Sequence, residues 1–332
     1  MRQEGPVEYE KQFIRKQTFR KMDRLTLHEK NGVVWISFPL LDQFDFVVNA
    51  FSTRIGGVSE GYASAMNLSL SREMSGGLGN MGLRTDIPEC DIWGNAPDGA
   101  AMKRFLENHR RFAEAVGYDL SDLVFSDQTH TDRVREVTKK DRGNGILRPN
   151  SFHDVDGLMT DQTDVAMMTF YADCVPLLLV DPVHRAAACV HSGWRGTIAG
   201  IGTKAVQKMQ RRYGSDPAVI VAAIGPSICG DCYEVSGDVA ARFSEKYQME
   251  EGDGQNRADG AVGRIVSPGR DGHAMLNLQE ACRANFLRAG LLPEHISVPD
   301  ICTAENAAVL FSHRALAGKR GNLAAVLEIK DG

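Results

Sequence analysis

Apolar positions along this chain follow two rhythms, short unbroken runs and runs spaced three or four residues apart, and the two alternate over most of its length. Residues 33–38 (VVWISF) and 44–51 (FDFVVNAF) are aromatic and β-branched and flank PLLDQ, which predicts a hairpin or meander. Residues 177–180 and 186–190 are continuous and apolar, with Asp181-Pro182-Val183-His184 between them, and predict two buried strands joined by a tight turn. Antiparallel pairing across that turn brings the far ends together. Cys174, just before the first strand, then lies beside His191, which closes the second.

The helical rhythm is clearest in GAAMKRFLENHRRFAEAVGYD, where Met102, Phe105, Phe112 and Val116 share one stripe and Gly117 stands where a C-capping glycine belongs. Further helices are expected over 197–213, stopping at Gly214, and over 276–289, stopping at Gly290, with a strand at AVIVAAIG between them. The C-terminal AVLFSHRALAGKRGNLAAVLEI reads as strand, loop and strand. Two stretches break the rhythm. Residues 1–31 mix both signs of charge without the apolar core of a secretory signal, and are expected to form a charged helical extension. Residues 71–98 hold many Gly and Pro and no clean period, which predicts a surface insertion. With no repeat or linker to divide it, the stretch 32–332 is expected to fold as one α/β domain on mixed β-sheets.

Composition narrows the function classes. The chain is 43% hydrophobic and 24% charged, as in ordinary globular proteins, and a net charge of -5 gives no basic footprint for nucleic acid. No apolar run approaches the ~20 residues of a membrane span. Seven cysteines, an odd count, point to reduced thiols and a cytoplasmic location.

Three constellations could carry chemistry. His130 in FSDQTHTDRV, Cys174 in YADCVP and His191 in CVHSGWRG are borderline-soft ligands that each close an apolar run. Two imidazoles and a thiolate suit Zn²⁺ and leave a fourth position open, as catalytic zinc requires. The hairpin pairs Cys174 with His191, but spacing alone does not bring in His130, and a metal-free Cys-His dyad remains an alternative. The turn Ser192–Gly196 leads into a helix and offers backbone N–H groups and the Arg195 fork to an anion. FSTRIGGVSEGYASAMNLS is a glycine-rich loop able to wrap a ligand, bounded by Arg54 and Asn67. Cys229 and Cys232 form a C-x-x-C with no second pair to complete a zinc ribbon, and read as a turn in the chain.

In this order, FSTRIGGVS, MNLS, QTH, DGLMTD, ADCVPLLLVD, VHSGWRGT, IGPSICGDCYEV and CTAENAAVLFSHR resemble the laccase-domain family, described as multicopper polyphenol oxidases or YfiH-like proteins and associated with purine nucleoside phosphorylase activity. The resemblance implies one zinc per chain held by His130, Cys174 and His191, which would also be the catalytic residues, with copper disfavoured. It assigns Arg54, Asn67 and Arg195 to substrate or phosphate contact. It implies phosphorolysis of adenosine, inosine, guanosine or methylthioadenosine, with adenosine deamination as a second reaction. The partners would be purine nucleosides and inorganic phosphate, without nucleic acid or membrane. The expected fold is α/β, mixed β-sheets flanked by helices in an αββα-type layered sandwich, a single domain. The chain departs from the family in Thr131, where glycine is usual, and in the length of 71–98. Against a copper cluster stand only nine histidines and no His-x-His pair. An oxidoreductase, a Cys-His hydrolase and a nucleoside-binding sensor are the alternatives.

Overall fold

The computed structural model describes residues 9–18, 20–74, 99–249 and 264–331. Two six-stranded mixed sheets stack face to face. The first contains β1 (Thr26–Lys30), β2 (Val33–Ser37), β3 (Val47–Ser52), β4 (Leu123–Phe125), β7 (Ala166–Tyr171) and β15 (Leu323–Ile329), in the order β1-β2-β3-β15-β7-β4. The second contains β5 (Val134–Glu136), β6 (Gly157–Thr160), β8 (Val175–Asp181), β9 (Ala186–Ser192), β10 (Val221–Ile224) and β14 (Ile296–Ser297), in the order β14-β10-β8-β9-β6-β5. A small third sheet joins β11 (Glu234–Ser236), β12 (Val266–Pro268) and β13 (His273–Leu276).

The period-two alternation of the strands builds the layers. On β8 and β9, Leu178, Val180, Ala187 and Cys189 meet Phe51, Met167, Ala325 and Leu327 of the first sheet in the inter-sheet core. Their neighbours Leu177, Leu179, Ala188 and Val190 face the other way, onto Ile201, Val206 and Met209 of helix Ile201–Tyr213 and Phe286 of helix Leu278–Arg288. The outer face of the first sheet, with Met168, Ala324 and Val326, is covered by Phe105 and Phe112 of helix Gly99–Val116. With every face of β8 and β9 buried, these strands read as continuous apolar runs rather than alternating ones. The result is the expected αββα layering.

Three expectations are corrected. The helix expected over 197–213 is two helices, Trp194–Ile198 and Ile201–Tyr213, because Gly200 adopts a left-handed φ of 74° that ends one and begins the other. The first strand expected in the C-terminal stretch does not form: Val309, Leu310 and Phe311 are buried in turns within the inter-sheet core, and only β15 is extended. In the charged N-terminal stretch, Thr26–Lys30 is an edge strand paired antiparallel with β2, and Leu25 and Leu27 are buried. Charge pattern concealed this, since an edge strand presents one face to water. Of the expected insertion, Leu70–Met74 is a short helix and the stretch 75–98 lies outside the described residues.

Candidate metal centre

The β8–β9 hairpin pairs Val175 with Ser192 and Pro176 with His191, so the residue preceding β8 stands next to His191. The donor atoms of His130, Cys174 and His191 all lie within 4.8 Å of one another. His130 Nε2 is 3.8 Å from Cys174 Sγ, and the two imidazole rings stand nearly perpendicular with centroids 5.0 Å apart. His191 is buried, Cys174 is half-buried and His130 is exposed, which opens the triad to solvent on one side.

Asp156, the first residue of the DGLMTD motif, is the residue that assembles the centre. Its carboxylate accepts the backbone N–H groups of Thr129, His130 and Thr131 at 3.2, 3.1 and 2.8 Å and the Thr131 hydroxyl at 2.8 Å. These bonds hold His130 at a left-handed φ of 66°, a conformation that L residues seldom adopt without such support. Asp156 also accepts from His191 Nδ1 at 2.8 Å. A carboxylate only accepts, so Nδ1 carries the proton and the ring's Nε2 is left for the centre. Thr131, the departure from the family's glycine, therefore adds a bond to the same carboxylate.

Close approach of the loop after β9 depends on Gly193. A Cβ there would lie 2.7 Å from His130 Cδ2 and 3.3 Å from Cys174 Sγ. The loop before β8 is pinned through Asp173, which has a φ of 86° and accepts from the Thr303 hydroxyl and the Arg314 N–H, both at 2.7 Å. Both of its carboxylate oxygens are committed, so Asp173 is an anchor rather than a free base.

The triad's electrostatics favour an ionised thiol. Burial pushes the Cys174 thiol up, but the His191 charge and hydrogen bonds from both histidines outweigh it and hold it at about 6. Burial pushes His191 down, and the Cys174 thiolate with Asp156 raises it to about 9. A thiolate and two imidazoles, one oriented by a carboxylate, are the donor chemistry and outer-shell support that zinc takes, so the residues present fit that ion.

Of the three predicted contact residues, Arg195 is exposed, with its guanidinium over the Trp194 ring at 4.3 Å. Arg54 donates to the carbonyls of Ser64 and Ala307. Asn67 is fully buried, donating to Glu73 and accepting from Ser69 and Asn322 N–H groups. A cation that sequence reading missed is Arg320, whose Nε is buried without a partner and whose charge is felt at Asp173 and Cys174. Burial, then Arg72, lowers it to about 10. Nothing in the loop sequence SHRALAGKR distinguished it, because its position depends on β15 returning to the first sheet beside β7.

Fold and site together define a layered α/β protein with an open His-Cys-His centre. The chain belongs to the family described as multi-copper polyphenol oxidoreductase laccase, which matches residues 98–330. Purine nucleoside phosphorylase YlmD of Bacillus subtilis is 30% identical over 299 residues, covering 86% of this chain and 89% of the relative. Adenosine deaminase RL5, from an unknown prokaryotic organism, is 33% identical over 214 residues, 64% of this chain and 77% of its own. The crystal structure of Bacillus licheniformis hypothetical protein YfiH matches with a TM-score of 0.73 at 28% identity, covering 92% of this chain and 99% of that one. No helix among the described residues is long and apolar enough to cross a membrane.

Proposed function

We propose that this protein is a zinc-dependent purine nucleoside phosphorylase that also deaminates adenosine. The observation that carries the reading is the His130, Cys174 and His191 triad, open to solvent on one side and with the unpartnered Arg320 Nε within electrostatic reach. The named relatives support the substrate class. Bound by these three side chains, zinc supplies Lewis acidity.

The chain's own residues bind and orient. Arg195, with its exposed planar fork, and Arg320, with its unpartnered Nε, draw inorganic phosphate toward the centre. Asp156 holds the His191 imidazole and the backbone of the His130 loop in place, so ligand geometry is set before substrate arrives. Arg54 and Asn67 shape the loop that closes the substrate side. In the reaction, the glycosidic bond to C1′ breaks, a phosphate oxygen bonds to C1′, and the departing purine takes a proton.

The deciding experiment incubates the protein with adenosine and inorganic phosphate under anaerobic conditions. Adenine and ribose 1-phosphate are expected, with some inosine. Base release should vanish without phosphate, while inosine formation persists. Phenol turnover requiring oxygen and copper, with no change in any nucleoside, would favour the oxidoreductase. Tight purine binding with no turnover would favour a sensor.

A further inference from the structure

Away from this centre, a second group of soft ligands converges. Cys229 and Cys232, read from sequence as turn residues, meet Cys302, with all three sulfurs within 4.8 Å of one another. Cys302 comes from a distant loop that the parallel bridge between Ser227 and Cys302 holds in place. The Cys229 N–H donates to Cys302 Sγ at 3.3 Å, and the Cys232 N–H closes a turn onto the Cys229 carbonyl at 3.1 Å.

Glu305 lies one turn beyond Cys302 in the same loop, and its charge is felt at Cys232. Its Oε1 pairs with Lys16 at 3.2 Å, while its Oε2 is buried without a partner. A buried carboxylate oxygen left unpaired costs free energy unless something positive completes it.

We propose that Cys229, Cys232 and Cys302 form a second metal site that holds a structural zinc ion, with the Glu305 carboxylate, which stands outside the cluster of sulfurs, turning in to complete it. With Zn–S bonds of about 2.3 Å, tetrahedral geometry puts ligand sulfurs about 3.8 Å apart, which the 4.8 Å limit on the cluster accommodates. A Cys229–Cys232 disulfide would instead need sulfurs at about 2.05 Å and would leave the third thiol and the orphaned carboxylate unused. Three thiolates and a carboxylate around Zn²⁺ carry net negative charge, which Lys16 offsets while keeping its 2.9 Å pair with Asp231.

The site would fasten two loops that frame the first centre. Ile228 N–H donates to the Asp173 carbonyl, Thr303 N–H donates to the Ser227 carbonyl, and the Thr303 hydroxyl holds the Asp173 carboxylate. The proposal does not rest on the reaction assigned to the triad.

The test loads the Cys174→Ala chain with Co²⁺ and with Zn²⁺ after reduction and removes excess metal. Retention of about one ion per chain is expected, with an intense near-ultraviolet sulfur-to-cobalt charge-transfer band. Cys302→Ser should abolish both. Because that buried substitution could impair folding, the half-buried Cys232→Ser is the second variant, expected to weaken the band and loosen Zn²⁺ at least tenfold with circular dichroism unchanged. Two results would overturn the site: no metal in the reduced Cys174→Ala chain, or metal whose band is indifferent to Cys232→Ser.

Discussion

At one end of the first sheet, β7 runs out into Asp173 and Cys174; at the other, β15 places Glu328 beside Asp122 and Asp164. Both ends bury ionisable groups, and burial alone raises a thiol and a carboxyl alike. At the Cys174 end, two imidazoles and a carboxylate-oriented proton reverse that push, giving an ionised thiol at about 6. At the Glu328 end, three carboxylates crowd together. Arg142 is taken by Asp122 and Lys139 by Asp164, which leaves Lys330, at 2.9 Å, to face Glu328. Burial wins there, and the Glu328 carboxyl is pushed up to about 7. The difference shows that partners, not depth, decide which buried acid ionises.

The largest expected effect tests the first end directly. Cys174→Ala should remove the triad's metal and reduce phosphorolysis by more than the about 100-fold that losing an outer-shell partner costs. Compared with the metal-stripped parent, its Tm should stay close, since Cys174 is only half-buried. Elemental analysis of the triad's metal and a nucleoside assay check this. Full activity in the variant would dissolve the distinction between the two ends.

Asp156→Asn should follow in size. An amide offers one acceptor oxygen where the carboxylate serves three N–H groups, a hydroxyl and an imidazole, and its own N–H₂ would point at donors. Metal affinity is expected to fall about 10- to 100-fold, measured by chelator competition. Excess zinc should then restore much of the lost rate. A variant with intact metal affinity and only a lower Tm would make Asp156 a fold residue and no more.

What sequence could read of these two ends differs for a physical reason. The β8–β9 hairpin is local, so apolar runs and a turn placed Cys174 against His191, and the layered fold followed from alternating strand and helix patterns. His130 required a family resemblance, because the carboxylate that carries its loop to the centre reaches it from β6, across a strand order that no spacing encodes. Asp156 was visible only as a residue before a glycine. Arg320, Cys302 and Glu328 owe their neighbours to β15 and to the C-terminal loops, where contacts are long-range: Cys302 meets Cys229 across 73 residues, and Glu328 meets Asp122 across a still longer span. The Arg54 and Asn67 loop was seen as a loop, but its inward hydrogen bonds were not legible.

The smallest expected effect lies at the far end and touches stability without chemistry. Glu328 has a folded-state value of about 7 against an ordinary 4.5, so the folded chain holds a proton that the unfolded chain releases. The stability tied to its neutral form is fully present below 4.5 and is lost as pH rises through about 7. At about 1.4 kcal/mol for each pH unit of displacement, the full loss is on the order of 3 kcal/mol. Glu328→Gln keeps the shape without the charge. It should melt close to the parent at pH 5 and several degrees above it at pH 8, by thermal unfolding followed with circular dichroism. Zinc content and nucleoside turnover should be unchanged at either pH. A variant less stable than the parent at pH 8 would mean that the Lys330 pair outweighs burial, and the two ends of the sheet would then obey the same rule.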